Sequence, residues 1–198
     1  MRVAIIDAGG ANLGSVRYAL ERLGIEPVLA RDAAALRDAG RVILPGVGAA
    51  APAMARLREL DLVGPIRALE VPLLGICLGM QLLFEASDEG GVECLGLLPG
   101  RVRRLEPGPD VRIPHMGWNR LRLRRSSRLL QGVEDGGQAY FVHSFAAPVG
   151  DACVAECEHG TRFAAVVECG RVAGAQFHPE RSATLGARLL ENFVRGAP

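Results

Sequence analysis

The chain has 198 residues, 49% of them hydrophobic, and 23 basic against 22 acidic side chains give a net charge of +1. No apolar run is long enough to cross a bilayer as a helix, and the hydrophobic content excludes a disordered chain. The balanced charge gives no electrostatic reason to expect a nucleic acid or an anionic membrane as partner.

In chain order, RVAIID is a short apolar run followed by NLGSVRYALERLG, in which Leu13, Val16, Leu20 and Leu23 keep helical spacing. The same rhythm recurs as EPVLA before DAAALRDAG, RVILPGVG before APAMARLREL, and VPLLGIC before a helix over LGMQLLFEA. Strands covered by helices on both faces are apolar throughout. The first half therefore predicts an α/β fold, a doubly wound, mostly parallel sheet with helices on both faces. After Gly96 the rhythm changes: RVRRL, LRLR, AYFVHSF, ACVAECEHG, RFAAVVECG and RVAGAQF read as strands punctuated by glycine and proline, an antiparallel extension in the second half. A last helix from about Ser182 to Val194 carries Leu185, Leu189, Leu190 and Phe193 on one side and is expected to pack back on the sheet. Residues 1–198 read as one domain, with a core large enough to need no disulfides.

The five cysteines, at 77, 94, 153, 157 and 169, have no paired CxxC spacing, and the start MRVAIIDAGG lacks a signal-peptide pattern, so a reducing cytoplasm is expected. Cys153 and Cys157 lie in a strand pattern near His159 with no second ligand pair, and no metal is expected there.

Three segments can carry chemistry. In Gly75-Ile76-Cys77-Leu78-Gly79 a buried strand ends at a cysteine flanked two residues away on each side by glycine. This is the pattern of a sharp strand-to-helix turn that presents a nucleophile at the amino end of the next helix, where backbone N–H groups favour an anion. A packing cysteine is the alternative, and the motif alone does not decide. In Gln176-Phe177-His178-Pro179-Glu180, Pro179 ends the ladder and leaves an imidazole and a carboxylate at a strand's exposed end, as acyl transfer to a thiolate requires; a plain surface turn is the alternative. Pro45-Gly46-Val47-Gly48 follows the RVIL strand at the same carboxyl edge, where an outward N–H could meet an oxyanion. Gly9-Gly10-Ala11-Asn12-Leu13-Gly14 does not match a dinucleotide loop.

PGVG, GICLGMQ and QFHPE, in this order, resemble the class I (triad) glutamine amidotransferases over almost the whole chain. Within them, Ile113-Pro114-His115-Met116-Gly117-Trp118-Asn119, Tyr140-Phe141-Val142-His143-Ser144-Phe145 and the opening Asp7 to Leu13 resemble the glutaminase subunits of imidazole glycerol phosphate synthase, from histidine biosynthesis. Those subunits commonly open with an aromatic and a glycine where this chain has Ala8 and Ala11.

The resemblance implies Cys77 as nucleophile, His178 as general base and then acid, and Glu180 as the group that holds the imidazole. It implies Val47 and Leu78 as backbone oxyanion donors, and Gly48, Gln81, His143, Ser144 and Phe145 around a bound glutamine. The implied reaction passes through a glutamyl thioester, without cofactor or metal, and sends ammonia to a cyclase subunit, a (β/α)8 barrel in a heterodimer. Asn12, Trp118, Tyr140 and Arg181 are implied at that interface, Arg181 standing where a lysine is usual. With the two glycines around Val47 free to turn its peptide, the isolated subunit is expected to be a poor glutaminase. Arg101, Arg103, Arg104, Arg120, Arg122, Arg124, Arg125 and Arg128 read as a solvated outer face in preference to a docking surface. A glutaminase serving another acceptor, and a noncatalytic thiol sensor built on Cys77 alone, are the competing functions; PHMGWN argues against the first and the His178–Glu180 pair against the second.

Overall fold

The computed structural model describes residues 2–7, 12–108 and 111–196. The opening loop of the motif, Ala8 to Ala11, lies outside the described residues. The first half alternates as β1 (Val3–Ile6), α1 (Leu13–Arg22), β2 (Val28–Ala30), α2 (Ala33–Arg37), β3 (Arg41–Gly46), α3 (Ala50–Glu59), α4 (Val63–Arg67), β4 (Leu73–Cys77) and a single turn, α5 (Leu78–Gln81). The second half is mostly strands: β5 (Phe84–Ser87), β6 (Val92–Glu93), β7 (Leu98–Arg104), β8 (His115–Arg120), β9 (Arg122–Leu123), β10 (Gln138–His143), β11 (Phe145–Ala146), β12 (Cys153–His159), β13 (Thr161–Cys169) and β14 (Val172–Ala175). A 3-10 turn, Pro179–Arg181, and α6 (Ala183–Arg195) follow.

The main sheet runs β2-β1-β3-β4-β14-β13-β12-β9. Its first five strands are parallel and the last three antiparallel. This is the predicted doubly wound sheet with its antiparallel extension. Alternate residues of each central strand feed opposite faces, which is why these strands are apolar throughout. Ala4, Ile6, Val42 and Leu44 pack with Leu36, Met54, Leu57 and Ile66 of α2, α3 and α4. Val3, Ile5, Ile43 and Ile76 pack on the other face with Val16 and Leu20 of α1 and Leu189, Leu190 and Phe193 of α6. Two small sheets, β10-β8 and β11-β7-β5-β6, complete the fold.

The helix expected over LGMQLLFEA stops at Gln81, and Phe84–Ser87 is a strand. Residues 80–84 are all buried, so a longer helix would have had no polar face to give to water. The carbonyls of Leu82 and Leu83 instead accept from the backbone N–H groups of Leu95, Leu97 and Leu98. LRLR shortens to the two-residue β9, while PHMGWN contributes β8, a strand the alternation did not flag. The eight named arginines are exposed, with Leu121 buried between Arg120 and Arg122. Arg122, Arg124 and Arg162 surround the buried Glu156 carboxylate at 3.8, 2.5 and 3.6 Å.

Candidate active site

The carboxyl edge of the parallel strands collects the three motifs. Gly46, at the end of β3, is the register partner of Cys77, at the end of β4, and the chain leaves β14 for His178. Cys77 takes the left-handed backbone, φ 53° and ψ −112°, as a reversal between strand and helix within one residue requires. The flanking glycines are there for close approach. A Cβ on Gly79 would lie 1.7 Å from the Leu44 carbonyl oxygen, and one on Gly75 would lie 2.6 Å from the Gly79 carbonyl oxygen. Gly46 belongs to the same packing, since its Cβ would come within 2.8 Å of the Gly79 N. Freedom of the Val47 peptide on both sides is therefore corrected: Gly46 is locked, and only Gly48, at φ +92° with open space around it, has a glycine's latitude.

His178 lines the same cavity as Cys77, near enough for thiol and imidazole to act on each other. Its Nδ1 lies 2.7 Å from Glu180 Oε1. Burial works against the imidazolium, yet the hydrogen bonds and charges of Cys77 and Glu180 prevail and raise its pKa to about 10. Burial also opposes the Glu180 carboxylate, and the His178 contacts outweigh it and hold its pKa below the ordinary value. Asn12 donates its amide to Glu180 Oε1 at 2.6 Å, with the same nitrogen 3.3 Å from His178 Nδ1. It occupies the N-cap of α1 but makes no side-chain cap bond there. A cap worth roughly 1 kcal/mol is thus given up to hold the carboxylate.

These groups open on a cavity of about 270 Å³ lined by Val47, Gly48, Cys77, Gln81, Glu89, Pro114, Val142 to Phe145 and His178. Gln81 donates its amide to Phe145 O at 2.7 Å and to Gln176 Oε1 at 3.0 Å. With its oxygen so engaged, Gln176 turns its NH2 toward Cys77 Sγ, at 3.9 Å. The Cys77 thiol lies 3.8 Å from Val142 O, and Leu78 is the first residue of α5. That helix is one turn, so its local N–H groups count for more than any long dipole.

Every residue expected at the centre is therefore brought together. Among those expected at a partner face, Asn12 is 8% exposed and spent on Glu180, whereas Trp118 is 52% exposed and meets Tyr140 edge-on at 5.8 Å. Arg181 is exposed in the turn that follows His178, and Tyr140 O accepts the His178 N–H. Sequence reasoning missed Glu89 and gave Gln176 no role. Glu89 caps α3 from outside, accepting the Ala50 N–H at 2.9 Å, but ASDEGG reads as a solvated turn and carries no signal of it. Cys153 and Cys157 are buried thiols whose pKa burial pushes up to about 11 and about 12.

The profile of the family described as class-I glutamine amidotransferase matches residues 4–197. Over 192 residues the chain is 65% identical to imidazole glycerol phosphate synthase subunit HisH of Xylella fastidiosa strain Temecula1, covering 97% of this chain and 96% of that protein. HisH of Xanthomonas axonopodis pv. citri is 66% identical with the same coverage. Among solved structures, one titled as a glutamine amidotransferase superposes with a TM-score of 0.75 at 22% identity, covering 97% of this chain and 96% of that one. PurLQS from Thermotoga maritima superposes with a TM-score of 0.71 at 22% identity, covering 98% and 97%. These two structures speak for the fold.

Proposed function

The chain belongs to the class I glutamine amidotransferases, and from that premise we propose how its residues serve as the glutaminase subunit of imidazole glycerol phosphate synthase, in histidine biosynthesis. Cys77 attacks the carboxamide carbon of glutamine, His178 and Glu180 manage the protons, and the N–H groups of Val47 and Leu78 receive the oxyanion. Gly48, Gln81 and the His143–Phe145 segment hold the substrate. The observation that carries this reading is that Cys77 and the hydrogen-bonded His178–Glu180 pair meet at one cavity at the carboxyl edge.

His178 changes role during the cycle. While Cys77 lies beside it, its raised pKa keeps the imidazolium charged, ready to protonate the departing ammonia. Acylation neutralises the sulfur and removes its hydrogen bond and charge, two of the influences that raise that pKa. Having given its proton to ammonia, and with its pKa no longer raised by the sulfur, the imidazole stays neutral and free to take a proton from water, whose attack on the thioester releases glutamate and returns the sulfur to Cys77.

Glu89, half-buried at the cavity rim, suits the α-amino group of the substrate. Ammonia released to bulk water would be protonated and lost as a nucleophile, so a partner must receive it. We take that partner to be the cyclase subunit, a (β/α)8 barrel in a cytoplasmic heterodimer, covering the edge around Trp118, Tyr140 and Arg181, with Asn12 beneath. Residues 4–197 match one family profile, which supports one amidotransferase domain over the chain. The test is glutamate release by the purified chain with and without the cyclase subunit. Release that rises on adding the cyclase is expected, and none under either condition defeats the reading.

A further inference from the structure

The β8–β10 pair carries a line of polar side chains, Asn119, His115 and His143, whose hydrogen bonds to one another the chemistry above leaves without a task. They run from the pair's outer side to the cavity wall, and the direction of each hydrogen bond is fixed from both ends. At the outer end, the Arg120 N–H lies 2.8 Å from one side-chain atom of Asn119, which is therefore its oxygen, because a backbone N–H only donates. The other atom lies 2.9 Å from the Glu158 carbonyl, which only accepts, and so is the NH2. That NH2 lies 3.2 Å from His115 Nε2, which must accept. A neutral His115 then carries its proton on Nδ1, 3.0 Å from His143 Nε2.

The inner end gives the same answer independently. His143 Nδ1 lies 2.9 Å from the Phe145 carbonyl and must carry a proton, which leaves the Nε2 of a neutral ring bare, as His115 requires. Burial before all else keeps both rings neutral, drawing His115 down to about 3 and His143 to about 4. Phe141 stacks on His115 at 4.8 Å and His159 at 4.1 Å.

We propose that His115 and Asn119 are positioning residues for glutamine, acting through His143 on the Phe145 carbonyl at the wall of the cavity. That carbonyl is held by two donors, His143 Nδ1–H and Gln81 Nε2–H. Gln81 has both amide hydrogens engaged, on Phe145 and Gln176, so its oxygen is the atom left for the substrate. Should His143 take the other tautomer, its bare Nδ1 would face the Phe145 oxygen at 2.9 Å, two lone pairs in contact, and the wall that orients Gln81 would move. The wall touches glutamine in ground and transition state alike, so the relay acts on KM and leaves kcat largely alone.

The inference rests on the glutaminase reading, and the two fail separately. In long-range proton–nitrogen spectra of the labelled full chain at neutral pH, His115 and His143 are each expected as the Nδ1–H tautomer; an Nε2–H form of either ring overturns the proposal, whatever the activity. In the complex with the cyclase subunit, His115→Leu is expected to raise KM for glutamine about tenfold with kcat within about threefold, the scale of one lost buried hydrogen bond. An asparagine amide nitrogen stands where a histidine's Nδ1 stands, so His115→Asn keeps the donor to His143 and is expected to hold KM within about threefold of the parent. Packing alone would rank the two variants in the opposite order, leucine near the parent and asparagine impaired, and that order sinks the relay. Asn119→Leu is expected to mix the two His143 tautomers and to raise KM as His115→Leu does; a parental KM with unchanged spectra removes Asn119 from the relay. A parent complex that releases no glutamate overturns the glutaminase reading instead, and the spectra still decide the relay.

Discussion

The parallel edge that carries Cys77 and the antiparallel β8–β10 pair that walls the other side of the cavity hold their side chains by different means. At the edge, backbone presses on backbone: Gly46, Gly75 and Gly79 have no room for a Cβ, and the reversal at Cys77 is enforced by atoms that cannot move. In the β8–β10 pair, directional hydrogen bonds among Asn119, His115 and His143 do the work, on a strand whose Met116 and Trp118 are largely exposed. Close packing fixes where a nucleophile stands. A hydrogen-bonded wall can be shaped to a ligand and touched by a partner, which suits the side proposed to meet both.

The same substitution placed in both regions is the strongest test. Gly79→Ala is expected to prevent stable folding, a cost above roughly 4 kcal/mol, because its Cβ would sit 1.7 Å from Leu44 O. Gly117→Ala meets nothing within 4 Å and strains only a backbone at φ +132°, about 1–2 kcal/mol. Equal losses in denaturant unfolding would erase the distinction. Next in size, Cys77→Ala is expected to abolish glutamate formation with the fold retained, since alanine keeps the Cβ and the backbone. A glutamyl adduct on another cysteine by intact mass would reassign the nucleophile. His178→Asn is expected to lose roughly three orders of magnitude in turnover by steady-state assay; near-parental turnover removes His178 from the mechanism.

The two regions also differ in how much the sequence disclosed. The parallel edge was legible because its constraints are local: continuous apolar runs named the strands, and glycines around Cys77 and Val47 named the turns. All three motifs lie where the strand-end rule puts them. Of the β8–β10 pair, AYFVHSF named β10, but β8 was not legible, since it contains glycine and asparagine and its order comes from pairing with a strand distant in sequence. Asn12 shows the same limit. By resemblance it reads as an interface residue, and only the fold brings Glu180 to it. The helix over-read past Gln81 failed for the related reason that an all-apolar stretch has no face by which periodicity can tell helix from strand.

A smaller effect probes the charge that ties the triad together. His178 has a folded pKa raised above its ordinary 6.5 to about 10, so its pairing stabilises the fold fully below the ordinary value and that contribution disappears as pH climbs through the raised one. Glu180→Gln removes one of the two charges that raise it. The alkaline limb of kcat/KM is expected to move to lower pH, with roughly a hundredfold loss at neutral pH. Thermal stability should also fall less between neutral and alkaline pH than in the parent. An unmoved limb would mean that Glu180 does not hold the imidazolium.

The smallest expected effect concerns whether the β8–β10 pair is touched from outside. Trp118 lies across from Tyr140 in the β8–β10 register, meets its ring at 5.8 Å, and lines no part of the cavity. Tyr140 is tied by its carbonyl to the His178 N–H and by its own N–H to Ser182 Oγ, which in turn donates to His178 O. Anything that packs on Trp118 thus presses on a strand bonded to the turn that carries the base. Trp118→Ala should weaken binding of the cyclase subunit about tenfold, near 1.4 kcal/mol, as truncation of an interface aromatic does. Glutamine hydrolysis by the isolated chain should stay within about twofold of the parent, because Trp118 touches none of the reacting groups, and stimulation by saturating cyclase should fall if the contact transmits anything. Titration calorimetry for the affinity and glutamate release at saturating partner separate the two effects. Parental affinity and parental stimulation together would put the partner elsewhere, and the β8–β10 pair would then be a wall for glutamine alone.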